Sequence, residues 1–372
     1  MTTDTATTAA TAVTGDAADV TGDADVTGDA DVTGAAEAAT EAALVPLALP
    51  DAFTAHARTR PQAPALLWHE RTVSYGELAA LADAERARLA ALDLAPGEPV
   101  GLLAVKSPEA VALVLACLME RRPFLLPSPQ LAPALLAALF AQAGARRLLT
   151  PLGQDTPALP ALAHPQPVPT LAAGTSFMLT TSGSTDLPKI VPLAQGAVDR
   201  FTVWAHDTFD LGPGRVVANY APLNFDLALL DVWATLAAGG TCLLIDPAHA
   251  LNARHLLAQL TRHRPHVMQA VPLAWALLLQ AAETAVLDSV EHAAFTGDAI
   301  DARTLAALPA LLPAARLYNI YGCTETNDSF LHPLDRLDAA AALPVPIGRP
   351  LPGVRTLIAT GDGTPLQGPG SG

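Results

Sequence analysis

The sequence predicts an α/β fold with two doubly wound βαβ subdomains and mainly parallel sheets. Three observations predict it. Short apolar runs of strand length recur at 99–105, 124–126, 148–150, 177–180, 216–220, 241–245, 266–271, 292–295 and 315–318. Segments with helical periodicity fall between them, the rhythm of parallel strands joined by crossover helices. The residues richest in hydroxyls and carboxylates follow strand ends, where open α/β sheets bind ligands. A length of 372 residues suffices for two such subdomains.

Taken in order, residues 1–45 form a low-complexity stretch in which Val-Thr-Gly recurs at Val13, Val20, Val26 and Val32. Its apolar content is mostly alanine, too little to offset the entropy of ordering, so disorder is expected. Residues 65–68 and 72–75 then read as a hairpin. Ser74 and Glu77 have capping-box spacing ahead of a helix whose Leu78, Leu81, Ala82, Leu89 and Leu92 share one face. After strand 99–105, Ser107-Pro108-Glu109 supplies an N-cap, a first-turn proline and an acid at the positive helix end. That helix runs to about Arg121; strand 124–126, helix 132–143 and strand 148–150 follow, then a Pro-rich link over 151–169. These divide into a first subdomain at 46–170 and a second at 171–345.

Charge excludes some partners. The net charge is −15, and residues 1–45 account for nine of those charges with nine acids and no Lys or Arg. The body is therefore only mildly acidic, with no basic surface for nucleic acid or anionic lipid. Cys117, Cys242 and Cys323 are odd in number and lack CxxC spacing, against a disulfide framework or zinc site. The N-terminus lacks the order of a signal peptide, and apolar runs are too short to span a bilayer. A cytoplasmic protein that uses no membrane is expected.

Two constellations bear chemistry. Thr181-Ser182-Gly183-Ser184-Thr185-Asp186-Leu187-Pro188-Lys189 sets four hydroxyls, a glycine and a lysine between an apolar run and a helix-like segment. Hydroxyls and glycine-exposed N–H groups can surround phosphate oxygens, and the lysine adds a compact charge. An ordinary polar turn has similar composition. A P-loop is disfavoured because Lys189 is followed by Ile190, where Ser or Thr is required. The second constellation, Tyr321-Gly322-Cys323-Thr324-Glu325, offers an aromatic face for a purine, a hydroxyl for phosphate and a carboxylate for Mg²⁺.

Together these strings resemble the TSGSTGxPK and YGxTE signatures of the adenylate-forming superfamily: acyl-CoA synthetases, luciferases and the adenylation domains of nonribosomal peptide assembly. Asp186 and Ile190 depart from it, each standing where a glycine is usual. The resemblance implies binding of ATP with Mg²⁺. Thr181, Ser182, Gly183, Ser184, Thr185 and Lys189 would surround phosphates, with Lys189 steadying the loop around pyrophosphate. Gly297, Asp298, Asn319, Tyr321 and Gly322 would meet the adenosine, Tyr321 by stacking. Thr324 would contact phosphate and Glu325 would hold the metal. Residues 73–78 and Ile347-Gly348-Arg349-Pro350 also resemble family segments, the latter opening a small β-subdomain over 346–372.

Asp226 resembles the aspartate that binds the α-amino group in amino-acid-activating members; read alone, it is also an N-cap candidate. Leu227, Leu230, Gln269, Ala294, Thr296, Ile320, Asp328 and Ser329 would line the side-chain pocket. Asp328 could meet a hydroxyl or second amine there, although 327–329 also reads as a solvated turn. The implied reaction activates an amino acid as its acyl-adenylate, releases pyrophosphate and passes the acyl group to the phosphopantetheine thiol of a carrier protein. Family members continue into a mobile domain bearing a lysine, so little turnover is expected of residues 1–372 alone. An acyl-CoA or aryl-CoA ligase lobe and a non-catalytic nucleotide-binding remnant are the alternatives.

Overall fold

The structure, a computed structural model, describes residues 48–156, 159, 171–181, 188–334, 344–359 and 364. The acidic stretch 1–45 lies outside the described residues. Residues 48–352 make one unit, which holds all helices and strands of the described residues.

Local chemistry sets the first elements. Helix α1 (Leu49–Thr59) has Pro50 in its first turn, where a missing N–H costs nothing. Strands β1 (Pro64–Trp68) and β2 (Arg71–Ser74) form the expected antiparallel hairpin. Ser74 then caps α2 (Tyr75–Ala90). Its Oγ accepts from Glu77 N at 3.2 Å, and Glu77 Oε2 accepts from Ser74 N at 2.7 Å, satisfying two donors that a helix start leaves orphaned. After β3 (Val100–Leu102), Ser107 Oγ accepts from Ala110 N at 3.1 Å and starts α3 (Pro108–Met119) as its sequence predicts. Strand β4 (Phe124–Leu125), α4 (Pro133–Gln142) and β5 (Leu148–Leu149) complete this stretch.

The remaining elements are β6 (Thr175–Thr181), β7 (Lys189–Ala194), α5 (Gln195–Phe209), β8 (Val216–Asn219), a π-helix (Leu229–Ala234) running into α6 (Thr235–Ala238), β9 (Thr241–Leu244), α7 (Ala253–His263), β10 (Val267–Ala270), α8 (Pro272–Ala282), β11 (His292–Thr296), α9 (Ala302–Leu311), β12 (Arg316–Cys323), β13 (Asn327–Leu334) and β14 (Arg349–Pro350). The segment after the hydroxyl-rich loop is thus a strand, not the expected helix. In β7 Val191 and Leu193 are buried while Pro192 and Ala194 are exposed, the period of two that a sheet face imposes. Pro192 cannot donate to a ladder, which suits the edge position of this strand.

Two sheets result. One runs β5-β3-β4-β6-β7 and the other β14-β13-β12-β11-β10-β8-β9-β1-β2. Their centres are parallel, and antiparallel strands finish the edges: β7 in the first, β2, β13 and β14 in the second. A boundary at 170/171 does not coincide with a change of sheet. Strands β5 and β6 on either side of it share the smaller sheet, while β1 and β2 join the larger one.

One core lies between the sheets and takes residues from both. Helix α3 and the π-helix sit in it, buried over nearly their whole surface. Phe124 of β4 meets Phe177 of β6 edge-on at 4.8 Å, and Phe177 meets Trp233 of the π-helix at 5.9 Å. The outer face of the larger sheet packs α7, α8 and α9, and that of the smaller sheet packs α4.

Candidate active site

The carboxyl ends of the parallel strands bring most of the predicted residues together. Gln269 of β10 pairs in register with Ala294 of β11, and Thr296 of β11 with Ile320 of β12. Because side chains alternate along a strand, these four project from one face of the sheet, toward the core between the sheets. All four are buried. Leu230 in the π-helix and Leu227 in the turn before it, which the resemblance assigns to the same pocket, are both buried.

Asp226 sits in that turn, half-buried. It does not cap the helix: its Oδ1 accepts only from the adjacent Leu227 N, at 3.1 Å, and the π-helix has no side-chain cap. Burial pushes its carboxyl above the usual range, and the charge of Glu325 adds to this. Asp328 and Ser329 are no solvated turn. They lie in β13 at 6% and 1% exposure. Gln269 Nε2 donates to Asp328 Oδ2 at 3.1 Å, and burial, reinforced by the charge of Asp226, pushes Asp328 up to about 7. Ser329 Oγ is turned inward to Thr326 Oγ1 at 2.8 Å and Asn327 O at 3.0 Å.

Beneath this pocket lies a set of polar residues that the sequence reading missed. Asn219, in register with Gln269, donates its Nδ2 to Asp231 Oδ2 at 3.1 Å and to Ala221 O at 3.1 Å. Lys106, from the turn after β3, donates its Nζ to Asn219 O and Tyr220 O, each at 3.2 Å. Lys106 and Asp231 are 4% and 0% exposed. Burial lowers the lysine to about 8 and raises the Asp231 carboxyl well above its usual range, against the opposing pull of Asn219 and Lys106. The available signal was Asp231 itself, a lone carboxylate inside the apolar run Leu229-Leu230-Asp231-Val232-Trp233.

A cavity of about 330 Å³ opens at the end of β11 and along β12. Gly297, Asp298, Asn319, Tyr321 and Gly322, the residues that the resemblance assigns to the adenosine, line it together, and Val345 and Ile347 add apolar surface. Asn319 Nδ2 donates to Pro346 O at 2.9 Å and so ties the 344–347 segment across β12. Tyr321 stays 38% exposed, its ring braced edge-on by Phe330 at 5.9 Å. A flat ring with one free face beside a mostly apolar slot can stack a purine. Gly297 takes a left-handed φ of 84°, which brings its backbone to the cavity edge without side-chain strain.

Of the phosphate loop, Thr181 and Lys189 are described, and they face each other in register across β6 and β7. Ser182, Gly183, Ser184 and Thr185, with Asp186, lie outside the described residues. Thr324 and Glu325 occupy the turn between β12 and β13, with Glu325 exposed. No group of three or more His, Cys, Asp and Glu able to enclose a metal exists among the described residues. A single exposed carboxylate still fits Mg²⁺, which keeps several waters and takes its other ligands from phosphates. No helix of the described residues is long and apolar enough to cross a membrane.

Residues 53–371 match the family described as AMP-binding enzyme. An L-proline–[L-prolyl-carrier protein] ligase of Streptomyces coelicolor is 36% identical over 55% of this chain and 39% of its own length. A D-alanine–D-alanyl carrier protein ligase of Bacillus licheniformis is 25% identical over 84% of this chain and 66% of its own. Among solved structures, the nonribosomal peptide synthetase FmoA3 in its AMPPNP-bound form is 25% identical with a TM-score of 0.73, over 82% of this chain and 35% of that one. The chain thus spans about two fifths of the length of the prolyl-carrier ligase that it matches.

Proposed function

Because this chain belongs to the AMP-binding enzyme family, we propose that it forms the nucleotide- and amino-acid-binding lobe of a ligase. The ligase joins an amino-acid carboxylate to AMP, releases pyrophosphate and delivers the acyl group to a carrier-protein phosphopantetheine thiol. One observation supports it above the others. Asp226, a half-buried carboxylate with no cationic partner among the described residues, is close enough to feel the charge of Glu325, in the turn that follows the strand lining a purine-sized slot. A buried carboxylate needs a cation, and an amino acid's ammonium supplies one. The carrier-protein ligases and synthetases among the relatives favour this acceptor over coenzyme A.

Each group then has a task. Tyr321 holds the adenine by one face. Asp226 accepts from the ammonium and so aims the carboxylate toward the α-phosphate, turning attack into a positioned, effectively unimolecular step. Lys189 and the loop behind Thr181 bind the departing pyrophosphate. Glu325 would hold Mg²⁺ and Thr324 would contact a phosphate; the ion would supply positive charge against that developing on pyrophosphate. The reaction requires no protein nucleophile, so His206, His263 and His266 need no role in it.

ATP–pyrophosphate exchange by the whole protein, across amino acids and the same acids without the amine, tests the proposal. Exchange is expected with amino acids alone, and exchange confined to plain acids would overturn it. Asp226→Asn should lower kcat/KM by roughly 30-fold or more, the loss expected when one partner of a buried charge pair is removed.

A further inference from the structure

Charge balance around Asp226 points past an ordinary amino acid. Asp226, Asp328 and Asp231 lie close enough to influence one another: Asp226 acts on Asp328, and Asp328 on Asp231. The cation within this group is Lys106. Lys106 and the Asn219 amide offset Asp231, and the substrate's α-ammonium offsets Asp226. Among the described residues Asp328 is left with one neutral donor, Gln269 Nε2, and no counter-ion.

Acceptors outnumber donors in the same place. Gln269 Oε1, Asn219 Oδ1 and Asp231 Oδ1 are buried with no hydrogen-bond partner among the described residues. Gln269 and Asn219 are themselves 0% exposed and project side by side from adjacent strands into the space that the π-helix covers. Buried acceptors without donors are costly, and a group that brings several donors and a positive charge relieves both deficits at once. A hydroxyl brings one donor and no charge. An ammonium brings three donors and the missing cation.

We propose that the amino acid activated here is a diamino acid, whose side-chain ammonium binds Asp328 and the neighbouring amide oxygen of Gln269. This rests on the adenylation function proposed above. Asp328 is then a specificity-determining residue, and the walls Leu230, Ala294, Thr296 and Ile320 set the length of the chain between the two amines.

Calorimetric titration of the whole protein with aminoacyl sulfamoyl-adenosines tests this without requiring turnover. Diaminopropionate, diaminobutyrate and ornithine conjugates are each compared with isosteres ending in methyl or hydroxyl, and with unacylated sulfamoyl-adenosine. At least one diamino conjugate should bind roughly 30-fold or more tightly than both of its isosteres. Asp328→Asn should remove most of that advantage while holding the methyl isostere within about threefold. Methyl isosteres that match every diamino conjugate, or a hydroxyl isostere that binds best, would overturn the proposal, and the wild-type comparison stands even if the variant misfolds. If no aminoacyl conjugate exceeds unacylated sulfamoyl-adenosine, the adenylation function itself fails, which is a distinct result.

Discussion

Lys106 and Asp328 are both buried charges, and pH acts on them in opposite senses. Lys106 has a folded-state pKa of about 8, below its free value of 10.5. Between those values the unfolded chain holds a proton that the folded chain does not, so this group's contribution to stability rises with pH. Asp328, at about 7, is above its free value of 3.8, so the folded chain holds the extra proton and its contribution falls as pH rises from about 4 to 7. Urea denaturation should therefore find Lys106→Met destabilised by about 1–3 kcal/mol at pH 7, from two orphaned carbonyls. Its gap from wild type should widen from pH 8 to 10; a constant or narrowing gap contradicts the assignment. Asp328→Asn should gain on wild type between pH 4 and 7 in the same experiment, and an unchanged difference counts against a buried, counter-ion-free carboxylate. At this scale sequence motifs singled out Asp226, Asp328 and Tyr321 as candidates. They could not locate Lys106 and Asn219, whose roles depend on partners more than a hundred residues away in Lys106's case.

Elements were legible where their determinants are local. The Ser74–Glu77 box and the Ser107 cap act within three residues, and α2 and α3 begin where those signals stand. The hairpin β12–β13 has no such local signature. It depends on Gly322, where a Cβ would lie 2.1 Å from Asn327 O, a backbone atom with nowhere to go. Gly322→Ala should force β12 and β13 apart beside the purine slot. AMP affinity by calorimetry should drop at least about tenfold, at a stability cost of about 1–3 kcal/mol typical of overpacking. Unaltered AMP binding in a folded variant would show that the slot does not depend on this close approach. The π-helix escaped the sequence for a related reason: its apolar spacing over Leu229–Leu236 also suits an α-helix, and the wider turn is settled by packing against the sheet.

For the whole molecule, composition and βαβ rhythm sufficed for the class of fold, while the exchange of strands between sheets did not follow from order along the chain. Parallel pairs such as β1 with β9 join residues far apart in sequence, and no local pattern encodes the choice. That exchange makes the central core common to both sheets, with Trp233 at 1% exposure as its bridge to Phe177. Trp233→Ala should cost about 3–5 kcal/mol. Combined with Phe177→Ala it should cost less than the sum of the two single changes, since both remove one contact. Strict additivity in chemical denaturation would mean that the two sheets are held together elsewhere. Strand register has a consequence for how such a protein can diverge. Along β10, β11 and β12, Gln269, Ala294, Thr296 and Ile320 face inward between the sheets, where substrate recognition is proposed, while Met268, Ala293, Phe295 and Leu317 face the outer core. Recognition and stability are written on alternate letters of the same strands, so inheritance can revise one text while leaving the other intact.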